Sequence, residues 1–208
     1  MKRLAILGAG GHGKVVADAA ECCGWTDISF FEDSWPERAQ NAGWLICGTT
    51  SHLLARLQEF DGVVVAIGHN RARGEKLSLL ESSGAKIVSI IHPRATVSKH
   101  AEVGKGSVVF AGACINPCVI VGTGAIINTG SSVDHDCVLG ANVHISPGAR
   151  LAGNVSVGDG SWVGIGACIK QAVRVGMHVT VGAGSAVVED INDNLVVVGV
   201  PARPMKKS

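Results

Sequence analysis

The chain has 208 residues, enough for one sizeable core or two smaller ones, and its 18 Lys+Arg against 17 Asp+Glu leave a formal net charge of +1. That balance excludes the excess positive charge that draws proteins to nucleic acid or to an anionic membrane surface. The 28 glycines and 4% aromatic content point to tight repeated turns, and seven cysteines without a Cys-x-x-Cys pair point to reduced, cytoplasmic usage as small hydrophobes.

Met1-Lys2-Arg3 precedes an apolar run that stops at Gly8 after four residues, so no secretory or transmembrane segment is expected. Apolar runs at 4–7, 28–31, 63–67 and 87–91 predict strands, with helical spacing over 13–23, 51–60 and 71–83 between them. The alternation predicts a βαβαβ unit with a parallel sheet over residues 1–92. Its first βα turn reads Gly8-Ala-Gly10-Gly11-His12-Gly13-Lys14, a Gly-x-Gly-x-x-Gly pattern whose backbone N–H groups can approach a phosphate at a helix N-terminus. Glu32 and Asp33 follow the second strand, where an acidic side chain can reach a ribose or a base. Gly68, His69 and Asn70 fall after the third strand, at the same carboxyl edge. The literal reading of these motifs is a nicotinamide dinucleotide site. However, residues 1–92 supply only about half of a dinucleotide fold, and no dehydrogenase-type substrate domain follows. A pyrophosphate ligand is therefore favoured over nicotinamide, and a structural Gly-rich turn is the plainer alternative.

Pro93 closes this half, and the second domain, residues 93–208, follows a period of six from Ala95 to Asp190 before a C-terminal tail. Sixteen successive positions, from Val97 and Val103 through Val133, Ile145 and Leu151 to Val187, carry Val, Ile or Leu, and a small residue or Val stands two before each. Strand alternation turns both inward. The residue after each aliphatic is often Gly, Asn or Asp and reads as a corner. Three hexads make a triangular coil, so the pattern predicts a parallel β-helix of about five coils, roughly 25 Å tall. Its interior is filled with aliphatic side chains, so any site must lie on an outer face or between prisms.

The polar stretch from Asn128 to Cys137, followed by His144, interrupts this pattern. Histidines on the surface of a repeat are ordinarily unremarkable. Here Asp136 follows His135 and can orient and charge-stabilise its imidazole, as a general base requires. His135 sits in a corner and His144 on an outer face, half a coil away, so the two cannot meet within one subunit; a site using both spans two subunits. Gly153 lies one coil above His135, where its N–H could stabilise an oxyanion. Zinc is not expected, because His135 and His144 have no third histidine nearer than His178. Cys137 points inward and reads as core.

Taken in order, Gly8 through Val15, Ala66 through Asn70, Ile91-His92-Pro93, the hexads, Asn128 through Cys137 and Gly199 through Arg203 resemble one family. It is the bacterial sugar acyltransferase family of sialic acid O-acetyltransferase and the UDP-4-amino-sugar N-acetyltransferases of bacillosamine synthesis. The resemblance implies a left-handed β-helix, a homotrimer with active sites between subunits, and cytoplasmic acetyl-CoA-dependent N-acetylation of a nucleotide-linked 4-amino-4,6-dideoxy sugar. It implies His135 as general base, oriented by Asp136, with Asn128 and His144 lining the acceptor and thioester region. Gly10, Gly11, His12, Glu32, Asp33, Gly68, His69 and Asn70 would hold the nucleotide, UDP being preferred. Acetyl-CoA would lie near His144, Gly153, Ile165 and Ala183, with Pro201 and Ala202 beside its adenine end. Relatives using UDP-sugars often carry an acidic run followed by Lys where Phe31-Glu-Asp-Ser-Trp-Pro36 stands here. Sialic acid O-acetylation, a non-catalytic nucleotide-sugar-binding scaffold and an NAD oxidoreductase are the competing readings.

Overall fold

The computed structural model describes residues 2–205, in two compact units, residues 2–92 and 93–205. In the first unit, β1 (Arg3–Leu7) lies between β2 (Asp27–Phe31) and β5 (Gly62–Val65), and both pairings are parallel. The run at 87–91 is not one continuous strand. It is a bridge from Ile87 to Val63, followed by the two-residue β6 (Ile90–Ile91).

The helices are α1 (Gly11–Cys22), α2 (Thr50–Ala55), which runs on into a 3-10 turn, and α3 (Asn70–Ser82). Gly24 and Gly84 stop α1 and α3 at φ +83° and +81°, in the left-handed region where a Cβ is penalised. Leu77 and Leu80 of α3 pack with Ala5, Leu7, Phe31, Leu53 and Val65 into one apolar cluster. Between β2 and α2 the chain makes a hairpin, β3 (Gln40–Asn41) and β4 (Trp44–Leu45), that the apolar pattern does not announce. Its turn residues Ala42 and Gly43 both take positive φ, as a two-residue hairpin turn demands.

The second unit is a triangular parallel β-helix of about six turns, one more than the hexads predict, because Val196–Val198 adds a rung beyond Val187. Face one stacks six two-residue strands from Thr96–Val97 to Ala186–Val187, and face two stacks five from Glu102–Val103 to Arg174–Val175. Face three carries Val108–Val109, Ile126–Ile127, His144–Ile145, Trp162–Val163, Thr180–Val181 and Val196–Val198, and Arg203–Pro204 returns antiparallel onto the last of these. Every strand partner lies eighteen residues away along the regular part of the stack, so the register is set by the repeat itself. The inward aliphatics from Val109 to Val187 are buried, while Val97 and Val103 at the first coil are only partly covered. Inward hydroxyls are satisfied by carbonyls of the wall: Ser131 donates to Asn128 and Ser161 to Gly176, each at 2.7 Å.

The corners obey two rules rather than one. The residue in the left-handed region is the third after the inward aliphatic, from Gly106 every six residues to Gly184, and includes Cys118, Asp136, Asn142, Asn154, Ala172 and His178. On face two the residue directly after the aliphatic is glycine in every coil, for a different reason. A Cβ at Gly104 would stand 2.6 Å from the Gly122 carbonyl carbon, and one at Gly122 would stand 2.5 Å from that of Gly140. Stacking of successive coils, not turn conformation, selects glycine there.

Candidate active site

His135 projects from the corner that joins face one to face two, between strands Ser132–Val133 and Val138–Leu139. Asp136 takes φ +60°, a conformation that Asp tolerates better than most residues, and this brings its Oδ2 to 2.7 Å from His135 Nδ1. Asp134 accepts the His135 backbone N–H at 2.9 Å and is itself held by Asn116 Nδ2 at 2.9 Å. The hydrogen bond to Asp136, then the charge of Asp134, raise the imidazole pKa above its ordinary value. With Nδ1–H directed at Asp136, Nε2 is the basic nitrogen, on a side chain that is 60% exposed. Gly153, one coil on, is not a bystander. A Cβ there would lie 2.6 Å from His135 Cε1 and 2.7 Å from Nε2, so the imidazole rests in the space that a side chain would fill. Cys137 is fully buried, and burial pushes its thiol pKa up, consistent with a core role.

His144 lies on face three, opposite that corner. Its side chain points outward, yet only 7% of the residue is exposed, because the Trp162 indole stacks on it at 5.2 Å with an interplanar angle of 5°. Asn128 Oδ1 accepts the Thr129 N–H at 2.8 Å, which turns its Nδ2 toward His144 Nε2 at 3.2 Å. Trp162 Nε1 donates to Ser146 Oγ at 2.6 Å. These residues floor a groove of about 380 Å³ whose walls include Gly164, Ile165, Val181, Gly182 and Ala183. It is an open, mainly apolar groove with polar groups at the Asn128–His144 end, a form suited to a flexible chain that carries a reactive group. Of the residues assigned to acetyl-CoA, His144, Ile165 and Ala183 line it. Gly153 stands instead at the His135 corner, and Pro201 and Ala202 lie outside the groove lining, with Ala202 buried and its N–H on the Ala186 carbonyl. Trp162 and Ser146 were not read from the sequence as site residues. The signal existed, since Trp162 stands one coil above His144 as Gly153 does above His135. Among the described residues, no group of three or more His, Cys, Asp or Glu could hold a metal ion.

In the first unit the glycines of the βα turn divide their roles. Gly8 sits at φ +112° with no room for a Cβ beside the Ala66 carbonyl oxygen (2.7 Å), and Gly13 packs too closely on Gly8 and Phe30 to carry one. Gly10 and Gly11 face open space. His12 is held neutral at pH 7: burial, then the positive charge of Arg73, lower its pKa to about 4. Arg73 is itself 1% exposed and donates to the Ile67 and Gly68 carbonyls and to Asn70 Oδ1 at 3.0, 3.1 and 2.9 Å. Asn70 is thus turned inward, and His69 caps α3 by accepting the Ala72 N–H at 3.3 Å. Glu32 pairs with Arg38 at 2.6 Å and Asp33 with Lys76 at 2.7 Å. Burial alone would raise the Asp33 carboxyl; hydrogen bonds from Lys76 and Thr50 outweigh it and hold the pKa at about 2. Both acidic side chains are therefore partly neutralised by cations of this chain.

Comparison with known proteins gives concordant results. Residues 3–80 match the family model described as the PglD N-terminal domain. The chain is 36% identical over 113 residues to UDP-N-acetylbacillosamine N-acetyltransferase of Bacillus subtilis, a match spanning about half the length of that relative. The acetyltransferase domain of PglB from Neisseria gonorrhoeae in complex with acetyl coenzyme A superposes with TM-score 0.94 at 44% identity, over 98% of this chain and 99% of that one. A mutant of perosamine N-acetyltransferase from Caulobacter crescentus, in complex with CoA and GDP-perosamine, gives TM-score 0.95 at 38% identity over 100% and 98%.

Proposed function

This chain belongs to the bacterial sugar acyltransferase family, and we propose that it moves an acetyl group from acetyl-CoA to the amine of a nucleotide-linked sugar. The acceptor is a 4-amino-4,6-dideoxy sugar, with UDP as the preferred carrier in keeping with the bacillosamine relative. Its prism is the left-handed β-helix of that family. The single observation that carries the reading is the 2.7 Å contact of His135 Nδ1 with Asp136, which leaves Nε2 exposed and basic.

An amine is protonated at neutral pH and cannot attack until it loses a proton. The ammonium gives that first proton to water before attack. His135 Nε2 takes a second proton as the neutral amine nitrogen bonds to the thioester carbonyl carbon, while Asp136 stabilises the imidazolium that forms. The carbon–sulfur bond then breaks, and the imidazolium returns the proton to the departing CoA thiolate. The pantetheine arm lies in the face-three groove, its thioester at the Asn128–His144 end. Because His135 stands at the corner opposite face three, the groove that serves it belongs to another copy of the chain, and the active form is a trimer with sites between subunits.

The reading is tested with His135→Ala, assayed with acetyl-CoA and a panel of UDP- and GDP-amino sugars. Turnover is expected to fall by about 10²- to 10⁴-fold with acetyl-CoA binding retained. In the unsubstituted enzyme, kcat should rise with pH through a pKa above 6.5, since only neutral imidazole accepts the proton. Near-normal turnover by His135→Ala would remove His135 as the base.

A further inference from the structure

We infer that Asn41, in the β3–β4 hairpin, is the residue that aims the glycine-loop N–H groups at the phosphates of the nucleotide, a positioning role that rests on the nucleotide-sugar reading above. Asn41 is 4% exposed. Its Nδ2 donates to two successive carbonyls of the loop, Ala9 at 2.8 Å and Gly10 at 3.2 Å. Arg38 Nη2 donates to the same Ala9 oxygen and to Glu32 Oε2.

The geometric consequence follows from peptide planarity. In a trans peptide the C=O and the N–H point in opposite directions. Fixing the Ala9 and Gly10 oxygens on Asn41 therefore directs the Gly10 and Gly11 N–H groups away from it, and a Cβ at either glycine would meet nothing within 4 Å, so the loop leaves room for a ligand beside them. No side chain caps the N-terminus of α1, and its first turn carries no acidic residue. Two aligned donors at the positive end of a twelve-residue helix are a receptor for an anion, and a diphosphate is the anion the relatives' ligand supplies. Helix α1 holds the Gly10 carbonyl, which accepts the Lys14 N–H at 3.4 Å. The Ala9 carbonyl, next to a glycine that leaves its peptide unconstrained, is instead held by Asn41 and Arg38. The hairpin supplies the constraint that glycine lacks.

A structural staple and an aiming device differ in what they do to phosphate. Asn41→Leu keeps the size and removes the donor. UDP and GDP, with uridine and guanosine as phosphate-free controls, are titrated calorimetrically against the full-length protein, and acetyl-CoA is titrated in parallel. The expected result is a Kd for the diphosphate raised about tenfold, with nucleoside and acetyl-CoA affinities unchanged and KM raised for the nucleotide sugar alone. Arg38→Met, which leaves Asn41 in place, should weaken the diphosphate by a smaller factor and shows the order of the two contacts. Unchanged diphosphate affinity in Asn41→Leu overturns the inference while leaving the function standing. Equal weakening of UDP and uridine overturns it in favour of a staple. Failure of the unsubstituted protein to bind either diphosphate overturns the nucleotide reading itself.

Discussion

The two units position their functional groups by opposite means. In the prism, placement is a matter of register: the strand partner of each residue is eighteen positions away, so His144 meets Trp162 and Ser132 meets Arg150 without any dedicated contact to arrange it. In the first unit nothing repeats, and orientation comes from side chains reaching backbone carbonyls, as Arg73 does at Ile67 and Gly68 and Asn41 does at Ala9 and Gly10. A register is robust to most surface substitutions and intolerant of core ones. A web of individual bonds fails one bond at a time.

The contrast is broken most forcefully inside the prism. Leu151→Ala, at 1% exposure between two coils, should cost about 2–5 kcal/mol in chemical denaturation, yet leave kcat per folded molecule unchanged because His135 stands outside the core. A fall in kcat of the folded fraction would show that core and site are coupled.

Gly153→Ala probes register at the site itself. It retains the backbone N–H but sets a methyl 2.6 Å from His135 Cε1, so kcat should drop about ten- to a hundredfold with the melting temperature nearly unchanged. An imidazole displaced from Asp136 also loses the bond that raises its pKa, so the rise of kcat should move to lower pH. A pH–rate profile identical to the parent's would mean that the ring is not seated by that glycine.

The smallest effect belongs to a single bond of the first unit. Lys76→Met should cost under about 1 kcal/mol, because the pair is partly exposed. Asp33 has a folded pKa near 2 against an ordinary 3.8, so its contribution is complete above 3.8 and lost as pH falls through 2. Urea unfolding should therefore separate the two proteins at pH 7 and bring them together at pH 2. A gap that persists at pH 2 would assign the effect to packing.

This difference in means also decides what was legible in the sequence. The hexads announce the prism because each rung needs the same inward pair, and the glycine pattern announces its helix because close packing admits nothing larger at Gly8 and Gly13. The corner rule was harder to see. The left-handed position is filled by Cys118, Ala172 and His178 as well as by glycine, whereas the glycines that do recur, at 104, 122, 140, 158 and 176, answer to coil spacing. Reading His144 as simply outward missed that a neighbour one coil away could cover it. The reach of Asn41 to Ala9 had no spacing signal at all, since it joins two irregular segments through one carboxamide.

A parallel stack of coils has no intrinsic length: each added rung presents the same unpaired donors and acceptors as the last. The antiparallel return of Arg203–Pro204 onto Val197–Val198 changes that at the end of face three. It occupies the ladder with a strand of reversed polarity that ends in proline, a residue without an N–H to offer. A second molecule arriving end to end finds there a strand of the wrong direction with one donor fewer, so the feature limits the filament growth to which an uncapped solenoid is open.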